Sequence, residues 1–235
     1  MKTILFDLDG TLLPMDQDAF VACYMRLLAN TMAPHGYEPE KLVQAVWKGV
    51  GAMVQNSGQR RNETVFWDCF ADTFGERARQ DLPLFESFYQ REFQQAQAAT
   101  GVNPAARQTV SWLQEQGYEL VLATNPIFPQ VATYSRLRWA GFQPEDFSLI
   151  TTYENATSCK PNLAYYREIL QSIGRAPSEC LMVGNDVTED LCVRDLGMEA
   201  FLLTDCLINR QQQDLTGVPQ GGFEDLRTYV SQHLA

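Results

Sequence analysis

The sequence predicts an α/β protein, a doubly wound parallel sheet with an all-helical segment inserted after its first strand. Two observations carry this prediction. After Gly101, short apolar runs alternate with helix-like segments, the pattern of a parallel sheet covered by helices on both faces. Between about Asp16 and Ala99, apolar residues recur only at spacings of three and four, which indicates helices without strands.

The first strand is expected at Thr3–Phe6, a short, continuous apolar run typical of a strand buried on both faces. The same reasoning places the other strands at 119–123, 149–150, 180–183 and 200–203. Helices are expected between them at 103–116, 131–140, 163–173 and 188–196. Gly117, Gly141 and Gly174 follow three of these helices at the position where glycine commonly ends one.

Four apolar stripes define the inserted helices. They comprise Phe20, Tyr24, Leu27 and Leu28; Leu42, Val43, Val46 and Val50; Val65, Phe66, Cys69 and Phe70; and Leu84, Phe85, Phe88 and Phe93. Stripes of this kind usually pack into a helical core. We therefore expect two domains, with residues 1–15 and 100–235 forming the sheet domain and residues 16–99 forming a helical domain.

Composition excludes several functions. The formal net charge is −11, which argues against nucleic acid as a partner because that needs a basic face. No apolar run is long enough to span a bilayer, so no membrane partner is expected. The chain reaches Asp7 too soon for a signal peptide, and six cysteines occur singly. These features predict a cytoplasmic protein with reduced thiols.

The chain has only two histidines, His35 and His233, both in polar surroundings. This scarcity argues against a Ser-His-Asp triad and against a histidine-ligated zinc site. The sequence also lacks a GxSxG motif and a GKS or GKT phosphate loop.

Polar side chains gather where the predicted strands end, and ligands of doubly wound sheets bind at these carboxyl ends. They are Asp7, Asp9 and Thr11 after the first strand, Thr124 and Asn125 after the second, Asp186 and Asp190 after the fourth, and Lys160 before a helix. A cluster of carboxylates is costly unless a cation neutralises it, and oxygen ligands suit Mg²⁺. A hydroxyl, backbone amides and a lysine suit a phosphoryl group.

Each feature alone also has a plain structural explanation, such as a turn or helix N-terminal acids that favour the helix dipole. Their order is more specific. "FDLDGT", "LATN", "CKPN" and "VGNDVTEDL" resemble, in sequence order, the four motifs of the haloacid dehalogenase (HAD) superfamily of phosphotransferases. The helical segment lies between the first two motifs, where many members carry a mobile cap. The resemblance covers essentially the whole chain.

The resemblance implies roles for the motif residues. Asp7 would be the nucleophile that forms an aspartyl-phosphate, and Asp9 the general acid and base. Thr124 and the amide of Asn125 would hold the phosphoryl oxygens. Lys160 would orient Asp7 and offset negative charge.

The resemblance also implies a metal site. Asp7, Asp186 and the backbone carbonyl of Asp9 would bind Mg²⁺, for which Mn²⁺ could substitute. Asp190 would support the metal through water or hydrogen bonds. The expected activity is Mg²⁺-dependent hydrolysis of a small phosphorylated metabolite.

Several alternatives remain open at this point. The second aspartate argues against the dehalogenase branch, because halide needs no protonation. A sugar-phosphate mutase uses the same motifs, and a binding module that has lost catalysis has to be considered. The phosphonate-cleaving branch needs a cap lysine, whereas Lys41 and Lys48 look like helix-surface residues.

Substrate specificity is expected to come from the helical segment. Arg60 and Arg61, in the loop "NSGQRRN", could hold a second anionic group of the substrate, although a solvated loop is the alternative. Sugar phosphates, nucleotides and phosphoglycolate-like acids are all compatible with the sequence. So are a monomer and a homodimer.

Overall fold

The centre of the protein is a sheet of six parallel strands in the order β3-β2-β1-β4-β5-β6. The computed structural model describes residues 3–233, so residues 1, 2, 234 and 235 of the predicted domains lie outside it. The α/β prediction is confirmed. The strands are β1 (Thr3–Phe6), β2 (Glu119–Leu122), β3 (Leu149–Ile150), β4 (Cys180–Gly184), β5 (Glu199–Leu203) and β6 (Gln220–Gly221).

Strand β1 lies between β2 and β4 and is buried along its whole length. Its side chains divide between the two faces of the sheet, because Ile4 and Phe6 join one hydrophobic cluster and Leu5 joins another. Phe6 is in register with Leu122 of β2 and Val183 of β4. The carboxyl ends of these three strands therefore meet at one edge of the sheet.

The segment from Gln17 to Ala99, between β1 and β2, is helical, as the sequence predicts. Its elements are α1 (Gln17–Met32), α2 (Pro39–Val54), α3 (Asn62–Phe74), α4 (Arg77–Gln80), α5 (Leu82–Gln90) and two 3₁₀ helices (Ala33–His35 and Glu92–Ala99). Phe93 lies in the second 3₁₀ helix and not in the fourth predicted α-helix. The reason is local: Arg91 leaves the helical conformation, with φ −120° and ψ −79°.

Aromatic rings form the core of this helical segment. The ring of Tyr37 lies 4.9 Å from that of Phe74 and 5.5 Å from that of Phe85, between centroids. Phe20 and Phe93 also contact Phe128, which follows β2, at centroid distances of 6.5 Å each. The helical segment thus packs on the sheet through a continuous hydrophobic cluster.

The chain enters and leaves the helical segment at one place. The N–H of Gly101 donates to the carbonyl of Pro14 at 2.7 Å, and Met15 forms an antiparallel bridge with Thr100. The two crossings therefore lie side by side. The division of the chain into separate domains at these crossings stays a prediction.

Four further helices cover the sheet: α6 (Pro104–Glu115), α7 (Gln130–Trp139), α8 (Leu163–Ile173) and α9 (Phe223–His233). Their ends follow local chemistry. The Asn103 side chain accepts a hydrogen bond from the N–H of Ala105 at 3.0 Å, and Asn162 accepts one from Ala164 at 2.9 Å. Gly174 ends α8 in the left-handed conformation, with φ 64°.

The predicted helix at 188–196 is wrong in extent and type, because the structure has only a 3₁₀ helix at Leu191–Leu196. The preceding residues are held in a turn. The backbone N–H groups of Thr188 and Glu189 donate to Oδ1 of Asp186, at 2.7 and 2.9 Å. The sequence analysis also missed β6, which is two residues long, and α9.

Within residues 3–233, no helix is both long and apolar enough to cross a bilayer. All six cysteines fall in this range, and none of them forms a disulfide there.

Candidate active site

A cavity of about 760 Å³ opens at the carboxyl edge of the sheet and is lined by six of the predicted site residues: Asp7, Asp9, Thr124, Asn125, Asp186 and Asp190. The loops after β1, β2 and β4 form one side of it. Helices α1 and α2 form the other, through Val21, Met25 and Trp47 among others. Residues distant in sequence therefore meet in a single cleft between the sheet and the helical segment.

Asp7, Lys160 and Asp190 form a buried ionic cluster beneath the cavity. The Lys160 ammonium donates to Oδ1 of Asp7 at 2.9 Å and to Oδ1 of Asp190 at 2.7 Å. The Lys160 side chain has no exposed surface. One cation thus joins the loop after β1 to the loop after β4, as the order of the motifs predicts.

Burial and charge act in opposite directions in this cluster. Burial raises the pKa of the Asp7 carboxyl to about 7, although the Lys160 ammonium opposes the change. Burial alone would lower the pKa of Lys160, but the carboxylates of Asp190 and Asp7 hold it well above its usual value. Lys160 is therefore a fixed positive charge, whereas the ionisation of Asp7 is sensitive to its surroundings.

Thr11 and Asn185 hold the loop after β1 in place. The Thr11 hydroxyl lies 3.2 Å from Oδ2 of Asp7 and 2.8 Å from Oδ1 of Asn185. Asn185 in turn donates to the carbonyl of Cys206 at 2.8 Å. Gly10 has φ +83°, and a Cβ there would lie 2.3 Å from the Asn185 amide nitrogen, so only glycine fits this approach. Sequence analysis had not singled out Asn185.

Asp190 shapes the loop that carries Asp186. Its Oδ2 accepts the backbone N–H groups of Asn185 and Asp186, at 3.0 Å each. A Cβ on Gly184 would lie 2.0 Å from this oxygen, so the glycine lets the carboxylate reach the end of β4. Asp190 therefore acts on Asp186 through the backbone.

Asp9 pairs with Arg136, which the sequence analysis missed. The guanidinium Nη1 bonds Oδ2 of Asp9, and the Arg136 side chain is fully buried. Its Cζ lies 4.2 Å from the centre of the Phe128 ring. Among the polar side-chain atoms of residues 3–233, Oδ1 of Asp9 is one of three that are buried without a hydrogen-bond partner. An unpartnered carboxylate oxygen in a cleft is suited to meet a substrate.

One signal could have revealed Arg136. It is spaced four residues from Ala132 and from Ala140, and both are buried. An arginine on the apolar stripe of a helix needs a partner within the fold, because an unpaired buried charge is costly.

Thr124 and Asn125 occupy the loop after β2. The Thr124 carbonyl accepts from the hydroxyls of Thr151 and Tyr165, at 2.7 and 2.9 Å, which fixes the backbone here. Asn125 donates through its side chain to Glu189 at 3.0 Å, while its Oδ1 is buried without a partner. Burial raises the pKa of Glu189 to about 7. Glu189, also missed in the sequence analysis, lines the cavity with them.

Arg60 and Arg61 are not brought to this site, since neither lines the cavity. Arg60 pairs with Asp68 on the surface, where 53% of the Arg60 side chain is exposed. The loop faces the protein through Asn62 instead, whose amide donates to the carbonyls of Pro126 and Ser158. This geometry does not support a substrate contact by either arginine. Lys41 and Lys48 do not line the cavity either.

Few side chains of the site are available to bind a metal ion. In the part of the chain that is described, no group of three His, Cys, Asp or Glu side chains is arranged to hold a metal ion. The expected set needs only two carboxylates, Asp7 and Asp186, because Asp9 would contribute its backbone carbonyl. All of these donors are oxygens, and two carboxylates with waters suit Mg²⁺. Hydrogen bonds to Oδ1 of Asp186 fix that side chain and leave Oδ2 for a ligand.

The protein has an α/β fold with a cluster of carboxylates at one edge of its parallel sheet, and comparison with known proteins identifies its family. The family model for haloacid dehalogenase-like hydrolases matches residues 1–191. Since this is most of the chain, the protein belongs to the haloacid dehalogenase-like hydrolases, which confirms the resemblance. It is an enzyme, a phosphatase of this family.

Two curated relatives illustrate the match. The phosphoglycolate phosphatase of Pseudomonas putida is 29% identical over 210 residues, which are 86% of this chain and 69% of that protein. Pyrimidine 5'-nucleotidase PynA of Streptococcus pneumoniae is 30% identical over 194 residues, 81% of this chain and 78% of that protein.

One solved structure shows the shared fold. The HAD-hydrolase YfnB of Bacillus subtilis, bound to magnesium, superimposes with a TM-score of 0.57 at 20% identity, and the match covers 98% of each chain. At this identity the likeness concerns the fold alone. Enzymes of this family generally use a divalent metal.

Proposed function

We propose that the protein hydrolyses a small phosphate monoester, with Mg²⁺, through an aspartyl-phosphate on Asp7. The observation that carries this proposal is the placement of two carboxylates on one loop. Asp7 is anchored by Lys160 at 2.9 Å, and Asp9 has an unpartnered oxygen two residues further on. Both line the same cavity.

The first step is attack by a carboxylate oxygen of Asp7 on phosphorus. The new O–P bond forms as the ester P–O bond breaks, and the leaving oxygen takes a proton from Asp9. In the second step, water attacks the phosphorus and gives its proton to Asp9. Phosphate leaves and the Asp7 carboxylate is restored.

Thr124, the backbone amide of Asn125 and Lys160 are the proposed holders of the phosphoryl oxygens. Hydrogen bonds from Thr151 and Tyr165 to the Thr124 carbonyl support this role, because they fix the loop before the substrate arrives. The buried charge of Lys160 offsets the negative charge that a phosphate brings to a carboxylate cluster.

Asp7, Asp186 and the carbonyl of Asp9 would hold the Mg²⁺, and Mn²⁺ would be an acceptable substitute. When bound, the cation neutralises the carboxylates and the phosphate, and so favours attack by an ionised Asp7. Asp190 supports this site by holding the backbone of Asn185 and Asp186.

The substrate is proposed to be a small phosphorylated metabolite, in keeping with relatives named phosphoglycolate phosphatase and pyrimidine 5'-nucleotidase. Residues 16–99 are proposed to act as a cap domain that closes over the reacting groups. Support for this role comes from Val21, Met25 and Trp47, which line the cavity opposite the carboxylates.

The test is phosphate release from a panel of phosphate monoesters, with Mg²⁺ and with a chelator. Asp7→Asn is expected to lower kcat by at least about 10³-fold while preserving the fold, because the nucleophile is lost. Asp18→Asn is the matched control, since Asp18 lies at the rim of the same cavity with a 92% exposed side chain. Ordinary turnover by Asp7→Asn, or release that survives the chelator, would contradict the proposal.

A further inference from the structure

A second cavity opens beside the active site, between the helical segment and the loop after β2. Its volume is about 70 Å³, several times the roughly 10–15 Å³ that one water needs. Five residues line both cavities: Val21, Met25, Trp47, Ile127 and Phe128. The smaller cavity is thus a side chamber of the active site.

The side chamber is apolar and uncharged. Among the described residues that line it there is no Asp, Glu, Lys, Arg or His. The tyrosine hydroxyls of its wall have partners there: those of Tyr24 and Tyr89 lie 2.8 Å apart, and the Tyr153 hydroxyl accepts from Trp67 Nε1 at 3.2 Å. A group that enters this chamber gains from leaving water but finds no free ionic partner.

The main cavity offers little to a second anion on the substrate. Arg210 is the only cationic residue among the described residues that line it, and it lies 3.7 Å from Asp18 with three quarters of its side chain exposed. Asp7, Asp9, Asp186 and Glu189 line the same space. A carboxylate on the substrate would therefore meet mostly like charges.

We propose that the substrate carries an apolar group of about the size of one ring on the alcohol side of its phosphate ester, and that this group occupies the side chamber. This inference rests on the proposed function and narrows its substrate class. The phosphate is then the only anion that the substrate presents. Small acids with a carboxylate beside the phosphate, such as phosphoglycolate, would be poor substrates.

The position of Phe128 supports this orientation. Its ring lines both cavities and also lies 4.2 Å from Cζ of Arg136, which bonds Asp9. A leaving group packed against Phe128 would therefore be held near the residue that has to protonate the leaving oxygen. Binding in the chamber would therefore position the ester oxygen near Asp9 and also contribute to the affinity for the substrate.

The test compares benzyl phosphate with ethyl phosphate, because both release a poorly acidic alcohol and differ mainly in the ring. The wild-type protein should show a kcat/KM for benzyl phosphate at least about tenfold higher than for ethyl phosphate, since several apolar carbons leave water. Phosphoglycolate should rank below benzyl phosphate. Equal values for benzyl and ethyl phosphate would overturn the inference.

Variants of the chamber wall test whether the preference for benzyl phosphate arises in the side chamber. Val50→Phe fills the chamber and should lower the benzyl-to-ethyl ratio of kcat/KM at least about tenfold. Val54→Phe is the control: Val54 is one turn further along α2, is 43% exposed and lines neither cavity. It should leave the ratio unchanged. If Val50→Phe does not fold, Val21→Phe fills the junction of the two cavities and serves the same purpose. An unchanged ratio in a folded variant would overturn the assignment.

Failure of this inference can be told from failure of the proposed function. If Asp7→Asn stops the hydrolysis of both esters but the wild type does not prefer benzyl phosphate, the function stands and the inference is wrong. If neither ester is hydrolysed, the inference is tested by measuring the binding of phosphonate analogues. Benzylphosphonate should then bind at least about tenfold more tightly than ethylphosphonate, followed by the fluorescence of Trp47 and Trp67 in the chamber wall. Equal binding would exclude the chamber as a subsite.

Discussion

Arg136 is the residue on which the position of Asp9 depends. It is fully buried, it bonds one oxygen of the Asp9 carboxylate, and the ring of Phe128 covers its guanidinium. The other oxygen of Asp9 has no partner. This arrangement fixes the carboxylate while leaving one oxygen for the substrate, so Arg136 acts as a positioning residue.

Replacement of Arg136 should therefore depend on the leaving group. Arg136→Met is expected to lower kcat for ethyl phosphate at least about 10²-fold, because in the proposed mechanism Asp9 gives a proton to that alcohol. For p-nitrophenyl phosphate, whose leaving group needs none, the loss should be much smaller. Both values are measured by phosphate release from the folded variant.

Arg136→Lys keeps the charge and should recover part of the loss with ethyl phosphate. A purely structural role for Arg136 would instead lower kcat for the two esters by the same factor in both variants. That result would refute the positioning role.

At the scale of elements, the loop between α2 and α3 turns its asparagines inward and its arginines outward. Asn62 is fully buried and bonds the carbonyls of Pro126 and Ser158, and its own Oδ1 accepts from Asn56 at 2.8 Å. The loop is thus tied to the segments that follow β2 and precede Lys160. Arg60 is left to pair with Asp68 at the surface.

We accordingly expect Arg60→Ala and Arg61→Ala to change KM for phosphate esters by less than about twofold, since exposed ion pairs contribute little. The measurement is steady-state kinetics with a monoester and with a substrate that carries a second anion. A several-fold rise in KM for the second substrate alone would show that the loop moves and contacts it.

The helices, strands and loops also show which features could be predicted from the sequence and which could not. Strand ends and the helical segment were predictable, because apolar periodicity reports burial directly. Asp7, Lys160 and Asp190 meet as expected, since parallel strands bring their ends to one edge. Arg136 was missed because one arginine in a helix carries no motif. Whether the Arg60 side chain points to the cavity or to solvent was not predictable, because the composition of a loop does not say which of its faces is buried.

The protein as a whole is acidic, and it buries several carboxyl groups at one edge of its sheet. The net charge is −11, and burial raises the pKa of both Asp7 and Glu189 to about 7. Both carboxyls then bind a proton more tightly in the folded than in the unfolded state. Without metal, the site therefore opposes the stability of the fold at neutral pH.

The metal-free protein should lose stability as the pH rises from about 4 to about 7, and these two groups should cause no further loss above that range. Each group contributes at most about 1.4 kcal/mol per pH unit. Urea unfolding at several pH values in the presence of a chelator measures this. Asp7→Asn should show a shallower decline, and Asp18→Asn the wild-type decline.

Added Mg²⁺ should restore part of the stability at pH 7, because a cation that binds only the folded protein stabilises it. A wild-type pH dependence in Asp7→Asn would show that Asp7 does not hold its proton in the folded state.

The neighbouring crossings at Pro14 and Gly101, joined by one hydrogen bond of 2.7 Å, have a consequence for how such enzymes diversify. A stretch of chain that leaves and returns at one point can be exchanged for another of different length without displacing any strand. Replacement of residues 16–99 as a block would therefore leave the loop that carries Asp7 and Asp9 in its place beside β1. A different helical segment could then change which alcohol the substrate carries, while the carboxylates at the sheet edge stay the same.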